Sequence, residues 1–524
     1  MAEKFAVLTW KTVGPGFFSW APFERGYAGI DYLTGADSRW PENTGLTLGP
    51  LISDVSLAQA TETPANANCL ALSGTMNATK YLLWGRGTKL SIQQASDMTL
   101  TSDGTETAMA APTSMLYTKN AGGTEEISVG QGAAAYRVVS SFGTGIATTH
   151  TANNEAVANI IMHHGAVENV VAGLGGQVVR QNELAGAVTM DASAWATRAT
   201  LTGEELTMTG YAVLNSGAEI IGTTATPYYW DNRFQSFRPM FLSLPADSNN
   251  CMGLAESQFL DVICPLANST RYISDAGLAT GVIGPEAFIY NTSPLTGRWS
   301  GWCESGSVWG YCVIYNAVTT VSYLAAWRMS RPTDPFAGGA PIQYFPLAQL
   351  SAVSNVMAPI GTFGGRTLPT IVLGRSSNMS WFSEGRTDAF PDDTSYTYAA
   401  SGTAFFTGVK MPPGYEATVE WVRVRVASLT TSETVTVAIR PDTTAAYTTV
   451  GNALTNNGTR GQHVLYANQP GALVGSEIKP RLTLARGGTT TLTPRVLELS
   501  VGVTIRPVTP GGRAIPKLDL LKVP

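Results

Sequence analysis

The chain is expected to be all-β: a propeller-like body in its N-terminal part followed by a jelly-roll-like β-sandwich. Three observations lead there. Alternating apolar runs recur near the C-terminus, short apolar strands joined by small-residue turns recur through the middle, and no long helical period interrupts either. Side chains on a strand alternate with period two, so an alternating run marks a strand with one face on a core.

The sandwich is read from residues 403–508. In Ala417–Val426, Val419, Trp421, Arg423 and Arg425 are expected on one face, with Glu420, Val422, Val424 and Val426 on the other. In Thr434–Arg440, Val435, Val437 and Ile439 share a face. In Val496–Ile505, the set is Leu497, Leu499, Val501, Val503 and Ile505. Strands of this kind, separated by Gly, Asn, Thr and Pro turns, pack as two sheets.

The body is read from residues 1–385. Six hairpins punctuate it. Their apolar first strands are Tyr81–Trp84, Met115–Tyr117, Val170–Ala172, Tyr211–Leu214, Tyr311–Tyr315 and Ile371–Leu373, each followed by a turn of small residues and a second strand. Gly and Asn in these turns suit the positive φ that tight hairpins need. A spacing on the order of 35–60 residues matches four-stranded blades, and the length allows roughly seven of them. The competing reading is one or more sandwiches with long decorations. Within the body, residues 1–68 are aromatic-rich and irregular (Phe17, Phe18, Trp20, Phe23, Tyr27, Tyr32, Trp40) and are expected to pack as extended segments, or to supply a strand that closes a fold. Residues 386–402, with Asp388, Pro391, Asp392 and Asp393, form the expected linker, and 509–524 a C-terminal tail.

Composition narrows the function. The 524 residues carry a formal net charge of −5, and only 14% are charged, against about 25% in ordinary soluble proteins. Nucleic acid and anionic membranes require a basic footprint, which scattered Lys and Arg do not make. No window approaches about 18 uninterrupted apolar residues, so membrane insertion is not expected. The start MAEKFAVLTWKTVGPG does not read as a signal peptide, so synthesis in a cytoplasm, with release by a route such as lysis, is expected. The five cysteines, Cys69, Cys251, Cys264, Cys303 and Cys312, lack zinc-site spacing and read as buried free thiols; the alternative is that Cys303 and Cys312 face each other across a hairpin. No metal site or cofactor is expected. His163 and His164 are adjacent, so on a strand they point to opposite faces.

No catalytic set is advertised. A glycosidase needs two carboxylates flanking the scissile bond, and the best single candidate is Asp231, beside Tyr229 and Trp230. Aromatic faces next to an Asp/Asn pair suit a sugar ring; the alternative is that Tyr229, Trp230, Phe234 and Phe237 pack between blades. A second candidate surface is Trp299, Trp302 and Trp309 with Arg298, Glu304 and Tyr311, since Trp and Arg dominate interface hot spots; the alternative is again a core.

The C-terminal segment resembles a module of tailed-bacteriophage virion and minor tail proteins. The residues that carry the resemblance are Gly475–Leu484, the turn Arg486-Gly487-Gly488, Thr493-Pro494, the closing strand Leu497–Pro507 and the upstream Trp421–Val426. The resemblance implies a structural component of a virion, present in several copies and made in the host cytoplasm. It further implies a tail or tail-tip position, assembly with other virion proteins and a possible host-surface glycan as partner. It transfers no catalytic residues, so a non-enzymatic role is expected. The alternatives are a polysaccharide-degrading propeller enzyme using Asp231, a head-decorating or fibre protein, and a free lectin-like protein.

Overall fold

The computed structural model describes residues 4–10, 17–18, 30–39, 45–54, 70–86, 89–94, 105–108, 112–119, 123–131, 135–140, 148–151, 160–164, 169–174, 178–183, 196–201, 207–240, 245–267, 269–274, 280–283, 297–305, 309–316, 320–329, 342–350, 356–361, 368–374, 379–384, 396–427, 429–430, 432–455, 461–466 and 473–508. Among them every regular element is a strand.

Seven antiparallel meanders follow one another through the body, among the described residues. Their first strands are Leu70–Met76, Pro112–Lys119, Ile160–His164, Met208–Val213, Ala255–Ser257, Arg298–Glu304 and Val356–Gly361, which head blades 1 to 7. First strands of successive blades pack on one another, blade 5 meets Arg298–Glu304 through its second strand Asp261–Pro265, and Val356–Gly361 of blade 7 packs back on Leu70–Met76 of blade 1. The ring therefore closes as a propeller. All six expected hairpins form within it. In the turn of blade 1, Asn77 and Ala78 both take positive φ (49° and 60°), the geometry that keeps two twisted strands paired through a two-residue loop.

Blade 7 is completed from elsewhere in the chain. Its fourth strand is Ser53–Asp54, paired with Met379–Ser383, and the Ser380 hydroxyl donates to the Asp54 carboxylate at 2.6 Å. A strand contributed from before blade 1 thus clasps the last blade and ties the ring shut.

Blade 6 shows why its strands read as unbroken apolar runs. Trp299, Cys312, Ile314, Tyr323 and Trp327 pack toward Leu260 and Ile263 of blade 5. Cys303, Tyr311, Val313, Leu324 and Phe345 pack toward Ile371, Leu373 and Phe382 of blade 7. A strand buried on both faces loses its polar alternation.

The sandwich is built from both ends of the chain. One sheet runs Lys4–Trp10, Val496–Pro507, Tyr415–Val426, Gly461–Tyr466; the other runs Ile30–Thr34, Ser401–Phe406, Glu477–Ala485, Thr434–Arg440, Thr448–Thr449. Their facing sides share one core containing Trp10, Leu33, Val422, Val437, Leu482 and Val501. Residues 1–68 are therefore not a single packing segment of the body. Their described parts are divided among the sandwich (Lys4–Trp10, Ile30–Thr34), the outer edge of blade 6 (Phe17–Phe18) and blade 7 (Ser53–Asp54). The expected linker gives up its last residues to the strand Ser401–Phe406.

Two β-bulges change the expected facing of the sandwich strands. Register shifts between Val419 and Trp421 opposite Val503 and Gly502. The extra residue flips the phase, so Ala417, Val419, Val422, Val424 and Val426 all face the core. The expected grouping of Val419 with Trp421, Arg423 and Arg425 is corrected accordingly. A second shift opposite Arg425 and Val426 turns Val496 fully inward and leaves Leu497 half-buried.

The alternative pairing of Cys303 with Cys312 does not form. Cys303 lies opposite Tyr311, and Cys312 opposite Trp302, so the two thiols occupy opposite faces of blade 6. The pair that meets is Cys251 and Cys264, where the Cys264 thiol donates to Cys251 at 3.7 Å. Cys251, Cys264, Cys303 and Cys312 are free and buried. That hydrogen bond followed by burial pushes the Cys264 thiol up, and burial pushes up those of Cys303 and Cys312. Thiolate is the reactive form. Iodoacetamide is therefore expected to leave these four unlabelled in the native protein and to label them after denaturation; peptide mapping that finds them labelled at the rate of a free thiol would contradict their placement.

Candidate binding surfaces

Few carboxylates are present, and many of the described ones are used to hold blades together. At the turns between first and second strands, an acid of one blade repeatedly accepts from its neighbour. Glu125 of blade 2 accepts the Asn77 N–H of blade 1 at 2.5 Å. Glu256 of blade 5 accepts the Val213 N–H of blade 4 at 2.7 Å, and Asp261 of blade 5 accepts from the Asn215 amide at 2.7 Å. Glu304 of blade 6 accepts from the Ser257 hydroxyl and the Gln258 N–H of blade 5. Glu384, after the third strand of blade 7, accepts from the Ser305 hydroxyl of blade 6 at 2.6 Å. These bonds satisfy turn donors that a ring of separate sheets would otherwise leave open. The Asn77 N–H, and next Lys119, hold the Glu125 carboxyl below its ordinary range. Its contribution is therefore present above the unfolded value and is lost as pH falls through the folded one. Burial instead pushes the Glu304 carboxyl up.

The first candidate surface is the outer hairpin of blade 4, Tyr228–Asp231 paired with Ser236–Pro239. Tyr229 and Trp230 point to opposite faces. Tyr229 packs on the cluster shared with blade 5, and Trp230 packs with Phe237 at 4.9 Å on the other side. The Trp230 indole N–H donates to the Asn232 side chain at 2.9 Å. Asp231 serves the turn: its Oδ1 accepts the Arg233 N–H at 2.9 Å, and its Oδ2 lies 3.5 Å from Arg238. Arg238 in turn sits 3.5 Å over the ring of Phe234, which is 58% exposed. What reaches solvent at this tip is an arginine on an exposed phenylalanine, beside Asp231 and the half-buried edge of Trp230.

The tryptophans of the second candidate surface are brought close but mostly buried. Trp299 is fully buried, lies 5.3 Å from Trp327, and donates through its indole N–H to the Tyr344 hydroxyl at 3.2 Å. Trp302 is half-buried and donates to the Gly253 carbonyl at 3.1 Å. Trp309 faces the other side of blade 6, against Phe345 at 5.1 Å. Trp299 and Trp302 thus build the seam between blades 5 and 6, and Trp309 the seam between blades 6 and 7.

Trp309 also borders the joint between the propeller and the sandwich. The short pair Ala36–Asp37 and Thr47–Leu48 bridges the last strand of blade 6 and the second sandwich sheet. There Arg39 grips Asp37 through Nε at 3.0 and 3.1 Å and Nη2 at 2.8 Å, while Nη1 donates to the Tyr311 hydroxyl at 3.0 Å. The guanidinium lies 5.4 Å from the Trp309 ring. Both ion-pair side chains are almost wholly buried, at 1% and 0% exposure. Burial pushes the phenols of Tyr311 and Tyr396 up, so both stay neutral beside the ion pair.

A third surface was not singled out in the sequence. On the outer face of the first sandwich sheet, Phe5 and Val7 are 57% and 47% exposed on the edge strand. Trp421 lies across Gly502, where a Cβ would overlap the indole, and its ring is 6.3 Å from that of Phe5. The alternation Phe5, Val7 against a Gly in the next strand was the available signal, but it becomes visible only once Val7 is paired with Gly502.

Among the described residues no group of three or more His, Cys, Asp or Glu side chains is placed to hold a metal. The side chains of His163 and His164 lie outside the described residues.

No family model matches the chain, and no curated protein matches it. Among solved structures, it is similar to a catalytically inactive variant of virginiamycin B lyase from Staphylococcus aureus, solved with quinupristin, at 9% identity and a TM-score of 0.42, over 64% of this chain and 99% of that one. It is also similar to an extracellular domain assigned to a hybrid two-component system from B. thetaiotaomicron, at 8% identity and a TM-score of 0.45, over 80% of this chain and 49% of that one. The chain spans about half the length of that Bacteroides domain.

Proposed function

We propose that this chain is a structural, non-enzymatic component of a phage particle, at the tail or tail tip, which assembles through its sandwich and presents its propeller to the host surface. The observation that carries this reading is the apolar strip that runs from Phe5 and Val7 on the edge strand to Trp421 on the outer face of the same sheet. Lys4–Trp10 ends its sheet among the described residues, and an exposed apolar strip beside a sheet edge is a template for another chain that proteins usually cover in an assembly. Neighbouring copies or other virion proteins are the occupants that fit an assembled particle. The blade 4 tip, with Phe234, Arg238, Asp231 and Trp230, offers stacking and hydrogen-bonding groups suited to a surface glycan. The resemblance of residues 475–507 to phage virion modules supports the same reading.

The test is composition of purified particles, followed by the double variant Phe5→Asp/Val7→Asp. The chain is expected in the particles, and the variant is expected to fold, stay monodisperse and be missing from them. Particles that never contain the wild-type chain would sink the proposal, and normal incorporation of the variant would remove the strip from it.

A further inference from the structure

The outer face of the second sandwich sheet carries a separate group of side chains. Phe405, Arg481 and Ala438 are cross-strand neighbours there. The Arg481 guanidinium lies 4.6 Å over the ring of Tyr447, which meets Phe405 edge-on at 5.7 Å. One row along the sheet, Thr403, Thr483 and Thr436 stand side by side, each half-buried. We propose that this face binds an acidic polysaccharide, with Arg481 receiving a sugar carboxylate.

Three features lead to that ligand. First, the Arg481 guanidinium rests over the Tyr447 ring, and its buried Nε has no hydrogen-bond partner among the described residues. A planar fork of donors held on an aromatic ring is pre-organised for a carboxylate. The other charges nearby pair with one another: Arg440, 5.6 Å from the same ring, lies 3.9 Å from Glu477, and its charge helps lower the Asp442 carboxyl behind hydroxyl and N–H bonds from Thr443 and Thr444. Arg481, with no ion pair to a carboxylate among the described residues, is the cation placed beside the threonine row. Second, the row of threonine hydroxyls offers donors and acceptors at strand spacing, about 4.8 Å apart, which suits successive sugar hydroxyls better than an acidic peptide. Third, Thr403, Phe405, Tyr447, Arg481 and Thr483 are all only partly buried, so the row of hydroxyls and the cation can be reached together. The site lies on a different domain from the blade 4 tip and holds whether or not the chain is a particle component.

The test is affinity electrophoresis of the full chain in polygalacturonate, with dextran as the neutral control. Retardation by polygalacturonate that weakens with added salt is expected, with none by dextran. Because the chain carries a net charge of −5, binding to a polyanion must come from a local site. Arg481→Gln is expected to lower affinity at least tenfold and Arg481→Lys several-fold, since lysine keeps the charge and loses the fork. Arg423→Gln, on the other sheet, should bind as wild type. No retardation, or equal retardation of wild type and R481Q, overturns the proposal. Binding to polyglutamate as tight as to polygalacturonate would assign the face to an acidic peptide and overturn the saccharide.

Discussion

Replacing Asp37 with alanine is expected to cost about 3–5 kcal/mol, because it leaves Arg39 charged and buried without its partner. Arg39 makes its grip on Asp37 through two nitrogens, inside a pocket formed by Trp309, Tyr311 and Tyr396. Tyr311 can still accept one hydrogen bond, but a phenol cannot neutralise a guanidinium. The pair sits on the bridge between blade 6 and the sandwich, so its loss should do more than lower one midpoint. Urea denaturation followed by two probes, tryptophan fluorescence and proteolysis of the C-terminal part, is expected to show the two domains unfolding separately in the variant. An apolar replacement of both partners, Asp37→Leu with Arg39→Met, should recover most of the loss, since it removes the stranded charge. A D37A midpoint within error of wild type would mean that Arg39 reaches solvent when its partner is removed.

The second large effect is expected at Trp10. Its side chain is 1% exposed, and its indole N–H donates to the Thr407 carbonyl at 2.8 Å. Trp10→Ala removes a large core side chain together with its hydrogen bond, a loss of about 3–5 kcal/mol. Trp10→Phe should recover most of the packing and lose the indole hydrogen bond, at about 1 kcal/mol. The effect should appear in the C-terminal part of the sandwich, because Trp10 ends a strand that runs antiparallel to Val496–Pro507 and pairs with Leu499. Limited proteolysis of W10A is expected to cut first within the C-terminal module. Initial cuts confined to the propeller would mean that the N-terminal strand contributes little to the sandwich.

Much of the architecture was legible in the residues. The hairpins of the body could be read from apolar runs meeting Gly and Asn turns, and the sandwich strands from their alternation. Those are local properties, set by the pleat and by the backbone angles that turns require. The candidate sites were less legible. Tyr229 and Trp230 read as one aromatic surface, yet adjacent strand residues face opposite ways and each packs on a different seam. The tryptophans around residue 300 read equally as a surface and as a core, because composition cannot say whether a second blade covers them. Arg481 and Tyr447 lie 34 positions apart, and nothing in either segment signals that one stacks on the other.

By itself the sequence determined an all-β chain, a repeating hairpin body, an alternating C-terminal module and a formal net charge of −5. Only the tertiary structure decided how these parts close. It placed Ser53–Asp54 in blade 7 and Lys4–Trp10 in the sandwich, inserted two bulges that change which side chains are buried, and buried Asp37 and Arg39 between the domains. The physical reason is common to all of these. Pairing between distant strands depends on backbone hydrogen bonds that any residue but proline can make, so the sequence specifies that a strand will pair without naming its partner.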